Sequence, residues 1–451
     1  WENIIDIIFV FSILYSLYKR KYSMVLQLVF IGILMLPLLA FGSYRIPLSY
    51  VILIVLLWYL IIDRRHLKIF FPKEVSLIFL TIFLILSIEI FSTLLSVVFK
   101  GASVVLWATF IGILKNLSLF LFITIISYES FQQKNEFNRE QIIMTMIPIF
   151  QIVMSANLIA IAVQFFWPEI GIKLVMSYSS ESKITLRYLQ EYTSLSRLYG
   201  LNYSPVLLGA KSLFCFTSSL FGLIQWTDSR IRRKLWVILL LSLLNGIFSL
   251  SKTFILGSLV SIFAFILLLF IANLRTHQIR ISPIIFLILF LIFFILIVTN
   301  SETLTLVTGL PFSYYFSYVT NPLDAFLTRY SQDFVSPDAK FLYEVIHENP
   351  ILGVGYISLS EEFIGDSEYL VAMHNGGLIS LVLRISLMLI LMYIALKSRD
   401  NFLLGIIFAS LIAGLGQPVL FSEMFLILIG GYIGYYAQRK LFEAKSLSER
   451  D

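Results

Sequence analysis

Residues 253–273 read TFILGSLVSIFAFILLLFIAN, a stretch without a charged side chain, bounded by Lys252 on one side and Arg275 shortly after it on the other. At about 1.5 Å per helical residue, such a run crosses the roughly 30 Å hydrocarbon layer of a bilayer. A barrel strand would take about 10 residues of alternating polarity. A continuous apolar helix instead satisfies its backbone hydrogen bonds within itself, as a lipid-embedded segment must.

Runs of this kind recur. They fall at about 3–18, 23–41, 47–63, 75–98, 103–127, 142–166, 203–226, 235–250, 253–273, 282–299, 374–396, 401–416 and 419–437. Hydrophobic residues make up 59% of the chain and charged residues 13%, with mean hydropathy +0.91, which excludes a soluble globule. The fold class read here is an all-α polytopic membrane protein of about 12–14 transmembrane helices. Its single cysteine, Cys215, offers neither a disulfide framework nor a thiol metal site.

Positive charge orients the spans. Placing Lys19, Arg20 and Lys21 inside also places Arg64, Arg65, Lys68, Lys73, the Arg230–Lys234 cluster, Arg275, Arg280, Lys397, Arg399, Arg439 and Lys440 inside. About 21 of the Lys and Arg residues then lie on the cytoplasmic side and about 9 outside. The net charge of +6 is therefore a topology signal and not a nucleic-acid footprint. The N-terminus is expected outside, with no cleavable signal over residues 1–18, and the C-terminus inside.

Three parts follow. Residues 1–299 form a helix bundle with an extracytoplasmic loop at 167–202; residues 300–373 form a large acidic extracytoplasmic loop; residues 374–451 supply the last spans and a cytoplasmic tail. The large loop carries ten acids against only two basic residues, Arg329 and Lys340. Within it, Phe341, Leu342, Val345 and Ile346 sit at helical spacing, which predicts a short amphipathic helix over Pro337–Glu348.

Of the four histidines, His66 and His277 fall in basic cytoplasmic loops and His347 beside Glu348. His374 alone combines the outer face with partial enclosure, where a neutral imidazole can accept a proton. Arg197, Lys252 and Arg329 lie at outer span ends or in outer loops, against the positive-inside bias. As a group with His374 they suit a diphosphate, which guanidinium forks grip bidentately and lysine neutralises as a point charge. Each of them read alone is more often a lipid-headgroup anchor or a structural ion-pair partner. Arg187 and Asn375 are further candidates for the same cavity.

Lys211 and Arg384 lie deeper within spans, where charges face a bundle interior or a cavity. Both are candidates to line the outer cavity from beneath. Glu89 and Lys115 fall at similar depth on consecutive spans, and the depth argument pairs them. Outer tyrosines, among them Tyr199, Tyr314, Tyr315, Tyr318 and Tyr356, are candidates to stack on sugar rings or to populate the interfacial belt.

The order SRLYGLNYSPVLLG (Ser196 to Gly209), FSLSKT (Phe248 to Thr253), TRYSQ (Thr328 to Gln332), NPILGVG (Asn349 to Gly355) and HNGGLISLVL (His374 to Leu383) resembles the O-antigen polymerase and O-antigen ligase superfamily of bacterial envelope-glycan enzymes. The resemblance implies a GT-C-like helical fold and metal-independent glycosyl transfer from undecaprenyl diphosphate. The reaction would face the periplasm or exterior of the cytoplasmic (inner) membrane, in lipopolysaccharide or capsule synthesis. It implies that Arg197, Lys252 and Arg329 hold the diphosphate and that His374 acts as base or positions the acceptor hydroxyl. Lys252 stands where the family pattern has arginine, and Arg384 where it has an acid.

No cofactor or metal is implied, and the chain has no GxxxxGK[ST] phosphate loop. Implied partners are the lipid-linked oligosaccharide donor and acceptor, the bilayer, a chain-length regulator and a flippase, with no nucleic acid. Polymerase is the leading expectation. A ligase moving finished glycan to lipid A core shares the same motifs, and a lipid-linked oligosaccharide flippase is the non-enzyme alternative.

Overall fold

The computed structural model describes residues 2–35, 39–41, 44–46, 48–62, 71–100, 106–132, 140–178, 197–202, 204–276, 288, 292–321, 347, 349–356, 367–417, 419–420 and 422–448. Their helices are α1 (Glu2–Tyr18), α2 (Tyr22–Met35), α3 (Leu48–Ile62), α4 (Lys73–Lys100), α5 (Leu106–Gln132), α6 (Glu140–Phe166), α7 (Pro168–Tyr178), α8 (Pro205–Gln225), α9 (Ser229–Phe248), α10 (Lys252–Thr276), α11 (Ser301–Thr308), α12 (Phe312–Thr320), α13 (Glu368–Ser398), α14 (Asn401–Ala413) and α15 (Glu423–Ser448). Between α2 and α3, β1 (Leu39–Phe41) pairs antiparallel with β2 (Tyr44–Ile46), a small hairpin whose first strand takes the end of the expected 23–41 span and whose second precedes the expected 47–63 span.

Among the described residues, six helical stretches are long and apolar enough to cross a membrane: Lys73–Phe99, Ile113–Phe131, Ile143–Phe166, Pro205–Gln225, Lys252–Ile271 and Glu368–Ser398. Four shorter apolar helical stretches accompany them, Asp6–Tyr18, Tyr22–Met35, Ser49–Tyr59 and Asn401–Ala413. The chain is a multi-pass helical membrane protein. Half of the expected span at 282–299 lies outside the described residues, as do the 179–196 stretch and the amphipathic helix over Pro337–Glu348 apart from helical His347.

The chain divides into two compact units. One comprises Trp1–Ile149, Gln332–Ile394 and Gln417–Asp451; the other comprises Phe150–Ser331 and Ala395–Gly416. In the first, α5 and α15 pack at close range because Gly434 leaves room: a Cβ there would lie 2.3 Å from the Thr124 carbonyl oxygen. Ser127 Oγ donates to the Gly431 carbonyl at 2.5 Å. Without a hydrophobic drive between helices in lipid, small residues and such cross-helix hydrogen bonds carry the association.

In the second unit, α8 is buried along almost its whole length, packed against α9, α10 and α14. Ser204 starts it, accepting from Val206 N at 3.2 Å, with Pro205 at the first helical position, where its missing N–H costs nothing. Its interior carries hydroxyls, and several bond within the bundle: Thr217 and Ser261 pair across helices at 2.9 Å, and Ser218 returns to the Phe214 carbonyl at 2.7 Å. At Gly405 of α14, a Cβ would meet Ser218 Cα at 2.6 Å, so the two helices touch backbone to backbone.

Candidate functional site

The first unit contains a broken helix. Helix α13 runs on either side of Gly376 (φ −146°, ψ 16°) and Gly377 (φ 62°, ψ −157°), but these two residues leave helical geometry directly after His374 and Asn375. A break inside a membrane-embedded helix strands carbonyls before it and N–H groups after it, each costly without a partner. NPILGVG supplies them. Val354 N donates to the His374 carbonyl at 2.7 Å, Leu378 N donates to the Pro350 carbonyl at 2.8 Å, and Ile379 N donates to the Ile351 carbonyl at 3.4 Å.

This joint depends on glycine. Gly353 has φ +65°, and a Cβ there would lie 2.4 Å from the His374 carbonyl oxygen; at Gly377 it would lie 2.2 Å from the Ile351 carbonyl oxygen. The two motifs that the sequence presents about twenty residues apart are thus one backbone-to-backbone contact.

His374 is 5% exposed and Asn375 8% exposed, and His374 Nδ1 lies 2.8 Å from Asn375 Oδ1. An amide oxygen only accepts, so Nδ1 carries the proton and the basic lone pair falls on Nε2.

Behind the joint is a buried ionic cluster. Arg384 on α13 bonds both Glu89 of α4 and Glu368 at the start of α13, and all three are at most 4% exposed. Ser380 Oγ donates to Glu89 Oε1 at 2.7 Å, and Leu420 N donates to Glu368 Oε2 at 3.0 Å. Tyr356, the residue after NPILGVG, donates its hydroxyl to Glu89 Oε2, while its backbone N–H donates to Thr93 Oγ1 at 2.8 Å. Burial, and after it the Glu89 carboxylate, hold the Tyr356 phenol well above its ordinary range, so it stays a donor.

The second unit holds the cations. Gln164 of α6 clasps the turn after Arg197: its Oε1 accepts from Tyr199 N at 2.8 Å and Gly200 N at 3.0 Å, and its Nε2 donates to the Gly200 carbonyl at 2.7 Å. Asn157, two turns back, accepts from Leu201 N and Asn202 Nδ2, each at 2.9 Å. Arg197 thereby projects to the end of α9, where Nη2 lies 3.3 Å from the Leu250 carbonyl oxygen. Leu250 is left-handed (φ 46°), an uncommon state for leucine that costs about 1–2 kcal/mol.

Tyrosines of α12 cover both cations. The Arg197 guanidinium carbon is 4.8 Å from the Tyr315 ring centroid, and Lys252 Nζ is 3.7 Å from the Tyr318 centroid and 5.6 Å from that of Tyr314. The Tyr314 and Tyr318 hydroxyls bond at 3.0 Å. Cation and ring quadrupole attract, by about 0.5–2 kcal/mol.

The structure therefore brings Arg197 and Lys252 onto one tyrosine helix, and His374 and Asn375 onto one kink backed by Arg384. Lys211 is buried in α8, one turn from Cys215. Arg329 and Arg187 lie outside the described residues, with His66 and His277.

The expected Glu89–Lys115 pair is replaced. Lys115 Nζ bonds Glu423 Oε1 at 2.5 Å and sits 4.7 Å from the Tyr50 ring centroid, while Glu89 faces Arg384. Position along a span gives a charge its depth, but helix rotation decides which neighbour it meets. Ser380, within HNGGLISLVL, completes the cluster together with Glu368 and Thr93, which belong to no recognisable motif. The signal for Glu368 is an acid at the opening of an apolar run that carries Arg384 sixteen residues on.

Among the described residues, no group of three or more His, Cys, Asp and Glu side chains is placed to hold a metal. Compared with known proteins, the chain matches no family model and no curated protein.

Proposed function

We propose that the protein is a metal-independent glycosyltransferase of the O-antigen polymerase type. It moves a growing glycan from undecaprenyl diphosphate to a sugar hydroxyl of a new lipid-linked repeat unit. On this reading the fold is GT-C-like, the acidic 300–373 segment is its extracytoplasmic loop, and the reaction faces outward from the cytoplasmic membrane of a bacterium. The supporting observation is the seating of Arg197 and Lys252, from motifs about fifty residues apart, on the tyrosines of one short helix.

The chemistry follows from charge. The acceptor hydroxyl oxygen attacks the anomeric carbon as the bond to the diphosphate oxygen breaks, and the diphosphate leaves with the electron pair. Fixed cations aimed at that developing charge stabilise the transition state in a water-poor site. The acceptor proton passes to His374 Nε2, the basic nitrogen of the tautomer that Asn375 selects. The diphosphate linkage supplies the driving force, so no nucleotide is consumed.

The test supplies purified protein with lipid-linked repeat units, without metal or nucleotide, and looks for a ladder of longer lipid-linked glycans. Arg329→Ala and His374→Ala should abolish the ladder with the protein still folded, and His347→Ala should keep it. A ladder in both of the first two variants would remove those residues from the mechanism. Transfer solely to a lipid A core acceptor would replace polymerase with ligase.

A further inference from the structure

We infer that Glu89 is a positioning residue for His374, acting through Tyr356 and Ser380 on both sides of the α13 break. Glu89 lies in the middle of α4 and is completely buried. One carboxylate oxygen accepts from Ser380 and Arg384, which follow the break; the other accepts from Tyr356, which follows NPILGVG. Thr93, one turn along α4, takes the Tyr356 N–H and donates its hydroxyl to the Glu89 carbonyl at 2.7 Å.

Two routes converge on His374 from this carboxylate. Along the loop, Tyr356 fixes Gly355 and Val354, and Val354 N holds the His374 carbonyl. Gly355 (φ +76°) lies so close to α4 that a Cβ would meet Thr93 Cα at 2.3 Å. Along the helix, Ser380 and Arg384 fix the turn after Gly377. Gly376 separates the two, and a Cβ there would stand 3.1 Å from Glu89 Cγ. The glycine pair would let His374 swing, and Glu89 removes that freedom. A group misplaced by about 1 Å loses about 100-fold in rate, so the cluster sets reactivity without touching substrate.

This inference rests on the transferase reading above for its activity arm only. Glu89→Gln keeps the shape but removes the charge and turns one of the two accepting oxygens into a donor, leaving Arg384 to Glu368; Tyr356→Phe removes one hydroxyl. In the full chain in lipid nanodiscs, kcat for glycan transfer should fall about 100-fold in Glu89→Gln and about 10-fold in Tyr356→Phe, with KM for the lipid-linked donor unchanged. The double variant should be no slower than Glu89→Gln, because both act through one network.

The second readout is hydrogen exchange over residues 349–356. Protection there should drop at least about 10-fold in both variants, while α8 keeps its protection. Unchanged protection in both would overturn the positioning role. Lost protection with no ladder even in the wild type would leave the clamp standing and sink the transferase reading. A rise in KM with kcat intact would also overturn the positioning role, placing Glu89 among substrate contacts.

Discussion

Val354 donates its backbone N–H to the carbonyl oxygen of His374 at 2.7 Å, so NPILGVG supplies the hydrogen bond that the interrupted helix at HNGG lacks. The same loop offers the Pro350 and Ile351 carbonyls to the first amides after the break. An irregular backbone at membrane depth survives where protein satisfies it, and broken helices of this sort commonly frame binding sites.

The joint predicts a sharp contrast between glycines. Gly377 has both a backbone region that is essentially glycine-only and a carbonyl 2.2 Å from any added Cβ. Gly377→Ala should cost about 3 kcal/mol or more. Gly309 is also left-handed (φ +69°) but has nothing within 4 Å of an added Cβ, so Gly309→Ala should cost about 1 kcal/mol. Denaturation midpoints of the two variants in matched detergent would separate steric from torsional cost; equal losses would contradict the packing of NPILGVG on α13.

The buried cluster predicts another contrast. Arg384→Gln leaves Glu89 and Glu368 facing each other at 0% and 2% exposure, and breaking one side of such a buried set costs about 3–5 kcal/mol. Lys115→Gln breaks a pair whose partners are 13% and 28% exposed, and should cost about 1 kcal/mol. Folded yield and protease resistance of the purified variants would rank them, with a milder Arg384→Gln counting against the cluster.

Much of this arrangement is legible in the sequence only in pieces. The apolar runs announce the membrane class, since composition alone forces it, and α8 and α10 fall where the hydropathy places them. NPILGVG and HNGG stand out as motifs, but nothing in either says that the first caps the break created by the second. That is a tertiary answer to a local deficit. Glu89 shows the limit most clearly. Its depth is readable from position along α4, yet its partner depends on which way the helix is turned, and the nearest opposite charge in depth, Lys115, belongs to Glu423. The start of α13 at Glu368, ahead of the expected span at 374, has the same origin: Arg384 and the Leu420 N–H hold Glu368 inside the protein.

Tyr356 makes a pH prediction with a definite sign. Its phenol is raised above the ordinary value of 10.0, chiefly by burial and then by Glu89. The stability it contributes is therefore fully present below the unfolded pKa near 10 and is lost as pH rises toward the folded value. The stability difference between wild type and Tyr356→Phe should be constant from about pH 6 to about pH 9 and shrink above about pH 10. Denaturation curves at those pH values check it. A difference that already shrinks between about pH 6 and about pH 9 would mean that a group other than the phenol controls the loop.

The tyrosines over the cations give the last prediction. Tyr318 lies 3.7 Å, centroid to Nζ, from Lys252, and Tyr315 lies 4.8 Å from the Arg197 guanidinium carbon, so the rings hold two long side chains ready for an anion. Removing a ring releases the side chain to other rotamers and forfeits about 0.5–2 kcal/mol of cation–π attraction. Under the proposed transfer reaction, Tyr318→Ala and Tyr315→Ala should each weaken binding of the lipid diphosphate by about 3- to 30-fold. Tyr314→Phe, which deletes only the hydroxyl bonded to Tyr318 at 3.0 Å, should stay within about 3-fold of wild type. Arg197→Lys should lose more than any ring variant, because a point charge replaces a fork that also reaches the Leu250 carbonyl. Titration of each variant with undecaprenyl diphosphate measures the series directly. Equal affinity across all four would show that the tyrosine helix packs on these cations without serving an anion.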